Sequence, residues 1–312
     1  MSKKLLVQKG ENHTLSEGAS RFTVVTIEDG ATLTFTGSTT LMADQLVTGS
    51  GSEIRYASSE YNDNAVFTLN ALDSSQVKEL RFVGNGKPGN GHASQSRAAE
   101  GKRGKNARDP QLFKTSGNKA QNGGRGANGG EGSTGEDAVD FVINLPRIAQ
   151  GALINVQAVG GLGGGGQGGG KGGRGGNGST FHDGRHGGHG GNGGDGGDGG
   201  DAGRVYTFFV VPDGDIDDEA VKKDIIQKTT VQVDSAPGDG GSGGSGGAGG
   251  QPGSNAPIGA GGKKAGDPGQ DGTDGDLGDG PKAGAVGDVF VQVDFLSQSK
   301  YQQYIAQVIG TP

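Results

Sequence analysis

Hydrophobic residues are spread along the chain in two regimes, and the change falls near residue 84. In the first, "FTVVTIEDGATLTFTGSTTLMADQLVTGSGSEIRYA" (22–57), short apolar runs alternate with Gly, Ser and Asp turns. Val25/Ile27, Leu33/Phe35, Leu41, Leu46 and Ile54 recur at a spacing that predicts strands of about two to five residues. Short strands stacked coil upon coil, as in a right-handed parallel β-helix, fit this spacing. A small β-sandwich fits it as well, because regularly spaced turns suit both.

In the second regime a short apolar strand runs into a glycine-rich tract and another strand leads out, three times over. The pairs are "VKELRFVG" (77–84) with "DAVDFVINL" (137–145), "LINVQAVGG" (153–161) with "GRVYTFFVV" (203–211), and "TTVQVDSAPG" (229–238) with "GDVFVQVDF" (287–295). Their β-branched and aromatic residues predict a sheet core that each tract leaves and rejoins. Val289, Val291, Val293 and Phe295 share one face, while "VYTFFVV" is apolar on both, as a fully buried strand would be. Two helices are predicted. "DDEAVKKDIIQK" (217–228) has Asp217 as N-cap, and a C-terminal helix over 297–309 carries a Tyr301, Tyr304, Ile305 and Val308 stripe. The expected organisation is therefore a β-rich region over 1–83 and three modules over 84–312, with tracts at 84–137, 160–203 and 236–288.

Within the tracts the non-glycine residues keep a period of three. His186, His189, Asn192, Asp195, Asp198 and Asp201 are each three apart, as are Arg125, Asn128 and Glu131, Arg174 and Asn177, and Ser242, Ser245, Ala248 and Gln251. Three residues per turn is polyproline II geometry, which has no internal hydrogen bonds and leaves N–H and C=O pointing sideways. A GGX repeat puts every X on one edge and leaves two edges bare. Stacked parallel glycine helices then satisfy each other's amides across those edges, so the core is backbone rather than side chain. The G-X-Y spacing of Gly266, Gly269, Gly272, Gly275 and Gly278 leaves one bare edge and belongs at the rim. A collagen triple helix is the competing arrangement, but the run is short and poor in Pro.

Composition sharpens this picture. Of 312 residues 70 are Gly and 10 Pro, with no Cys and no Trp, so disulfides and cysteine-based metal or redox sites are excluded. The N-terminal "MSKKLLVQKGENHTL" has lysines but no apolar run, so no secretory signal is expected. No stretch of 18 apolar residues predicts membrane insertion. The expected location is a virion or an extracellular cell surface, reached through virion assembly or signal-less secretion. Net charge is −7, yet residues 86–126 carry nine Lys/Arg against two acids, while 212–220 and 266–280 are acidic. Such asymmetry suggests polar contacts between loops or a patterned recognition surface.

Glycine tracts in GGX triplets broken by longer polar loops resemble the polyglycine-II domains of T-even-type phage long-tail-fibre tip adhesins. They are also similar to the glycine-helix antifreeze proteins of snow fleas. The likeness covers about half of the chain. It implies a rigid glycine scaffold whose end loops recognise a bacterial surface receptor. The Trp-rich attachment region of those adhesins has no counterpart here, so no mounting site or receptor carries over.

The candidate chemistry is sparse. "FHDGRHGGH" (181–189) raises a metal site from His182, Asp183 and His186, but residues one triplet apart lie about 9 Å apart in polyproline II, so His186 and His189 cannot share an ion. The Asp195/Asp198/Asp201 ladder lacks the hydrophobic position of calcium-binding nonapeptide repeats and reads as solubilising. "KGGRGGNG" and "NGGRGANGG" resemble RNA-binding RGG segments without the aromatics those use, and no nucleic acid is expected. No nucleophile, zinc or phosphate-loop motif occurs. Asp44 and Glu53 are the acids one would test for glycosidase chemistry, and nothing in the spacing selects them. No cofactor is expected. Loops 94–121, 178–187 and 251–264 break the glycine pattern, and loops on a rigid scaffold carry recognition. Arg97, Lys102, Arg103, Lys105, Arg108, Phe113, Phe181, His182, Arg185 and Asn255 are the candidate receptor-binding residues. The sequence thus predicts an all-β, non-enzymatic protein with few short helices. It has a β-helix-like core carrying a polyglycine-II bundle, and it binds a bacterial surface glycan or protein receptor. Self-assembly with copies of itself is the alternative, and ice binding by a flat regular face the third.

Overall fold

A computed structural model of the chain describes residues 3–57, 65–93, 96–108, 117–148, 151–179, 182–212, 230–239, 241–242, 244–254, 285, 287–296, 299–300 and 303. The helix expected over 217–228 lies outside the described residues. So do most of 297–309, of which Ser299, Lys300 and Gln303 are helical.

The described chain is all-β apart from those three residues. The strands are β1 (Lys4–Val7), β2 (Asn12–Leu15), β3 (Gly18–Ile27), β4 (Thr32–Phe35), β5 (Thr39–Thr48), β6 (Ser52–Tyr56), β7 (Val66–Ala71), β8 (Gln76–Val77), β9 (Glu79–Val83), β10 (Asp140–Asn144), β11 (Leu153–Gln157), β12 (Val205–Pro212), β13 (Thr230–Asp234) and β14 (Val289–Leu296). Sheet I runs β1-β3-β5-β7-β10-β12-β14, with β8 beside β5, and sheet II runs β2-β4-β6-β9-β11-β13. Every pairing is parallel. The chain therefore passes from sheet I to sheet II and back in each circuit, and each strand lies beside its counterpart from the circuit before.

Alternation decides which face is buried. In β7 Phe67, Leu69 and Ala71 point inward, and Phe67 and Leu69 stand in register with Phe141 and Ile143 of β10. In sheet II Leu80 and Phe82 of β9 stand beside Ile154 and Val156 of β11. The two inward faces share one apolar cluster, knit by Phe35–Phe67 at 4.6 Å and Phe82–Phe141 at 5.6 Å between ring centroids. Each such phenylalanine contributes roughly 1.5–3 kcal/mol on burial. The turns from sheet I to sheet II use Gly10, Gly30 and Gly51 at φ 71, 66 and 66, a left-handed conformation that side chains resist.

One strand expectation needs correction. β3 and β5 are ten residues long rather than two to five, because polar residues such as Arg21 and Asp44 sit on the outer face of a continuous strand and pair there at 3.4 Å. In β14 the side chains of Val293 and Phe295, half of the face expected to hold Val289, Val291, Val293 and Phe295, lie outside the described residues. Val289, Phe290 and Val291 are all exposed, since among the described strands β14 pairs with β12 alone. β12 is buried at Val205, Thr207, Phe209 and Val210, while Tyr206 and Phe208 are half-covered.

The connections from sheet II back to sheet I explain where the glycines go. After β2 and β4 they are two or three residues; after β9, β11 and β13 they become the three glycine tracts. All three tracts thus leave from one edge of the molecule. The first two run out and return and the third is described on its way out, giving arms 1-out (84–107), 1-back (121–139), 2-out (158–178), 2-back (185–204) and 3-out (235–254). The out arms prolong sheet II and run parallel to one another; the back arms prolong sheet I and run against them. The expectation of uniformly parallel glycine segments therefore holds within a layer and not between layers.

Main-chain hydrogen bonds join the arms every third residue. Within the out layer Gly86, Gly89, Gly101 and Gly104 donate to the carbonyls of Val159, Leu162, Lys171 and Arg174, and Gly163, Gly166, Gly169 and Gly172 donate onward to Asp239, Ser242, Ser245 and Ala248. Within the back layer Gly126, Gly129 and Gly132 donate to His189, Asn192 and Asp195. Between layers Gly161, Gly164 and Gly170 donate to Glu136, Ser133 and Ala127, and Gly191, Gly194 and Gly197 donate to Gly170, Gln167 and Gly164. A β-sheet bonds in one plane, whereas these arms bond in two. Among the described tract glycines none has a φ in the left-handed region. A Cβ built on Gly129 would sit 1.8 Å from the carbonyl oxygen of Gln167, so the spacing admits only glycine there.

One side chain occupies an inward position of arm 2-out. Gln167 is in phase with Gly161, Gly164, Gly170 and Gly173, whose added Cβ atoms would strike arm 1-out at 2.0–2.2 Å. Opposite Gln167, arm 1-out makes an excursion: His92 bonds Gly165 and Ala98 bonds Gly168, six residues answering three. Gln167 fills the space this opens and accepts the Gly130 N–H at 3.2 Å.

Candidate functional site

Because the tracts leave one edge and hold register, the described turns of the first two tracts and the stretch of the third that ends at Ser254 arrive together at the far end of the arms. Arg108 N–H bonds Asn118 O at 2.9 Å where the first tract turns, and Ser179 and His182 exchange main-chain bonds where the second does. Ala107 bonds Asn177, Gly178 bonds Ser254 and Gly253 bonds Arg185, tying the three ends to one another.

The outward residues do more than face solvent. At several outward positions the main-chain N–H is met by an Asn or Asp of the neighbouring arm rather than by a lattice carbonyl. Asn106 Oδ1 accepts the N–H of Asn177 at 3.0 Å, and Asn177 Oδ1 accepts that of Ser254 at 3.1 Å. In the back layer Asn128 serves Asn192, Asp137 serves Asp201, and Asp201 serves Ala285. Asn85 serves Val159 in the same manner. Asp201 is therefore a bridging acceptor and not only the solubilising charge expected of its ladder. Sequence reasoning missed this set, although the recurrence of Asn and Asp at outward positions was its signal.

Charge is sorted along the arms. Near the sheets stand Glu131, Glu136, Asp137, Asp195, Asp198, Asp201 and Asp239, and the cations there are paired, Lys87 with Glu136 at 3.8 Å and Arg204 with Asp140 at 2.6 Å. The hydrogen bonds that Arg204 donates to the Asp140 carboxylate, then that carboxylate's charge, raise the Arg204 pKa. Toward the far end stand Lys102, Arg103, Lys105, Arg108, Lys119, Arg125, Lys171, Arg174 and Arg185, with Glu100 and Asp183 as the only carboxylates among the described residues there. Among the described residues no carboxylate lies within ion-pairing distance of Lys102, Arg103, Lys105, Lys119, Lys171 or Arg174. Arg174 donates to Ser254 Oγ at 3.0 Å. A cavity of about 830 Å³ is lined there by Lys105, Asn106, Ala107, Arg108, Asn118, Lys119 and Gln121.

Of the sequence candidates, Lys102, Arg103, Lys105 and Arg108 are exposed at this end, with His182 and Arg185 half-buried beside them. Arg97 lies midway along the arms, bridged to Gly168. Phe113, Phe181 and Asn255 lie outside the described residues. His182, Asp183 and His186 are not gathered as ligands: among the described residues no three His, Asp or Glu side chains cluster at metal-binding spacing. His186 and His189 occupy successive outward positions on one arm, both exposed. Asp44 and Glu53 sit on different sheets, Asp44 paired with Arg21 and Glu53 with Arg55 and Arg81. No described helix is long and apolar enough to cross a membrane.

Comparison with protein-family models, with curated proteins and with solved structures finds no match to this chain.

Proposed function

We propose that the protein is a non-enzymatic binding protein of the phage tail-fibre or cell-surface adhesin type. Its circuits form a parallel β-helix, its arms form a polyglycine-II bundle, and the loops at the bundle's far end engage a glycan or protein receptor on a bacterial surface. Its place is a virion or an extracellular surface. The observation that carries this reading is that segments far apart in sequence, the turns near 108–118 and 179–182 and the stretch ending at Ser254, are brought to one end of a hydrogen-bonded shaft. A backbone lattice with no side-chain core at its centre is a costly way to build a spacer unless position and stiffness at the end matter. The period-three bonding in two directions supports the polyglycine-II assignment.

The test is a pair of variants, Lys102→Glu/Lys105→Glu and His182→Ala/Arg185→Glu, assayed for binding to a panel of bacterial cells. Loss of binding with unchanged melting supports the adhesin reading. Normal binding by both removes it. The exposed Val289, Phe290 and Val291 on β14 favour a second reading, a self-assembling subunit in which the last circuit of one copy pairs with another. Ordered polymers in electron micrographs of purified protein would establish it, and a strict monomer at high concentration would exclude it.

A further inference from the structure

The unneutralised cations at the far end carry a narrower inference, which rests on the adhesin reading and names its ligand class. We infer that this end binds a linear anionic polysaccharide bearing about one carboxylate or sulfate per disaccharide. Three features of the arms lead there.

First, the cations are open. Lys102, Arg103, Lys105, Lys119, Lys171 and Arg174 are exposed and lack a described carboxylate partner, whereas Lys87 and Arg204 near the sheets are paired. Second, the charge is polar along the shaft. Asp195, Asp198 and Asp201 line the near half of arm 2-back, so a polyanion is repelled from the shaft and drawn to its end. Third, the spacing is fixed. Lys171 and Arg174 stand one triplet apart, roughly 9 Å at polyproline II rise. Arg103 precedes Gly104, whose N–H bonds the Arg174 carbonyl, so the two guanidinium groups stand on adjacent arms of the same face. That interval is the length of a disaccharide and exceeds the step between phosphates of a nucleic acid. The described arm residues include no Phe, Tyr or Trp on which bases would stack. Because the cations are mounted on a bonded lattice, binding orders side chains without ordering backbone, which lowers its entropic cost.

The full chain is tested against immobilised hyaluronan and chondroitin sulfate, with neutral dextran and duplex DNA in parallel, at about 0.05 M and about 0.3 M NaCl. The inference expects binding to at least one acidic glycan, weakening with salt, and none to dextran. Lys171→Gln/Arg174→Gln and Lys102→Gln/Lys105→Gln should each weaken it about fivefold, as two exposed ion pairs do. Asp195→Asn/Asp198→Asn should leave it intact or stronger, and unchanged melting of all variants shows that they fold. Silence toward both acidic glycans at low salt, equal binding to dextran, or tighter binding to DNA overturns the inference. The same Gln variants are assayed on bacterial cells. If the glycans are silent while cell binding persists and is lost only with the loop substitutions, the ligand class is wrong and the adhesin reading stands. If cells too are not bound, both fall.

Discussion

Four consecutive glycines of arm 2-out, Gly163 to Gly166, offer a test of the backbone lattice in which chemistry is held constant and only phase varies. A Cβ added at Gly163 would lie 2.0 Å from the Gly197 oxygen, at Gly164 2.2 Å from the Asn90 oxygen, and at Gly166 2.0 Å from the Gly194 oxygen. At Gly165 the nearest atom is 3.6 Å away, an ordinary contact. Relief at the three tight positions requires a neighbouring backbone to retreat by about 1 Å. Overpacking of that kind costs roughly 1–3 kcal/mol, and one or two lattice hydrogen bonds stretched with it add about 0.5–1.5 kcal/mol each. Against this, alanine restricts the unfolded chain and returns about 0.4–1 kcal/mol. The net expectation for Gly163→Ala, Gly164→Ala and Gly166→Ala is a loss of about 0.5–5.5 kcal/mol, centred near 3, or a melting temperature lower by roughly 1–8 °C. Gly165→Ala keeps only the unfolded-state gain and should be neutral or about 0.5 kcal/mol more stable. Thermal and urea denaturation followed by circular dichroism reads all four. Equal losses at all four positions, or the largest loss at Gly165, would show that the arms are not packed amide against amide.

Two further outcomes follow from the same contacts. Asn177→Ala removes the acceptor for the Ser254 N–H and should cost about 1 kcal/mol, with faster hydrogen exchange at Ser254, while Asn177→Asp retains the protection; equal exchange in both variants would remove the bridging role. Phe67→Ala, at the centre of the rings of Phe35, Phe82 and Phe141, should cost about 3–5 kcal/mol, and a loss below about 1 kcal/mol in urea titration would mean that the two sheets do not share this core.

The sequence made the local pattern legible. The six strands flanking the tracts are found where alternation and β-branching placed them, and outward His189, Asp195 and Asp198 are exposed between buried glycines as the triplet phase requires. Pairing partners were not legible. Asn106 and Asn177 are 71 residues apart and Asp201 and Ala285 are 84 apart, and a period of three repeated in every tract fits many registers equally well. The lengths of β3 and β5 were hidden because outer-face Asp and Arg look like turn residues when the partner strands are unknown. The charge sorting was half visible: residues 86–126 are evidently basic, but that Lys171, Arg174 and Arg185 join them follows from the arms doubling back.

Gln167 shows how such a shaft changes length. Arm 1-out carries three residues more than its neighbour opposite Gln167, and the lattice resumes in phase on both sides of the detour. An insertion of one residue would rotate every later outward side chain into the interior, where only glycine fits, whereas an insertion of three leaves all later positions unmoved. Shafts of this construction can therefore grow or shrink only in whole triplets, and a lineage of them would differ in reach by steps rather than by degrees.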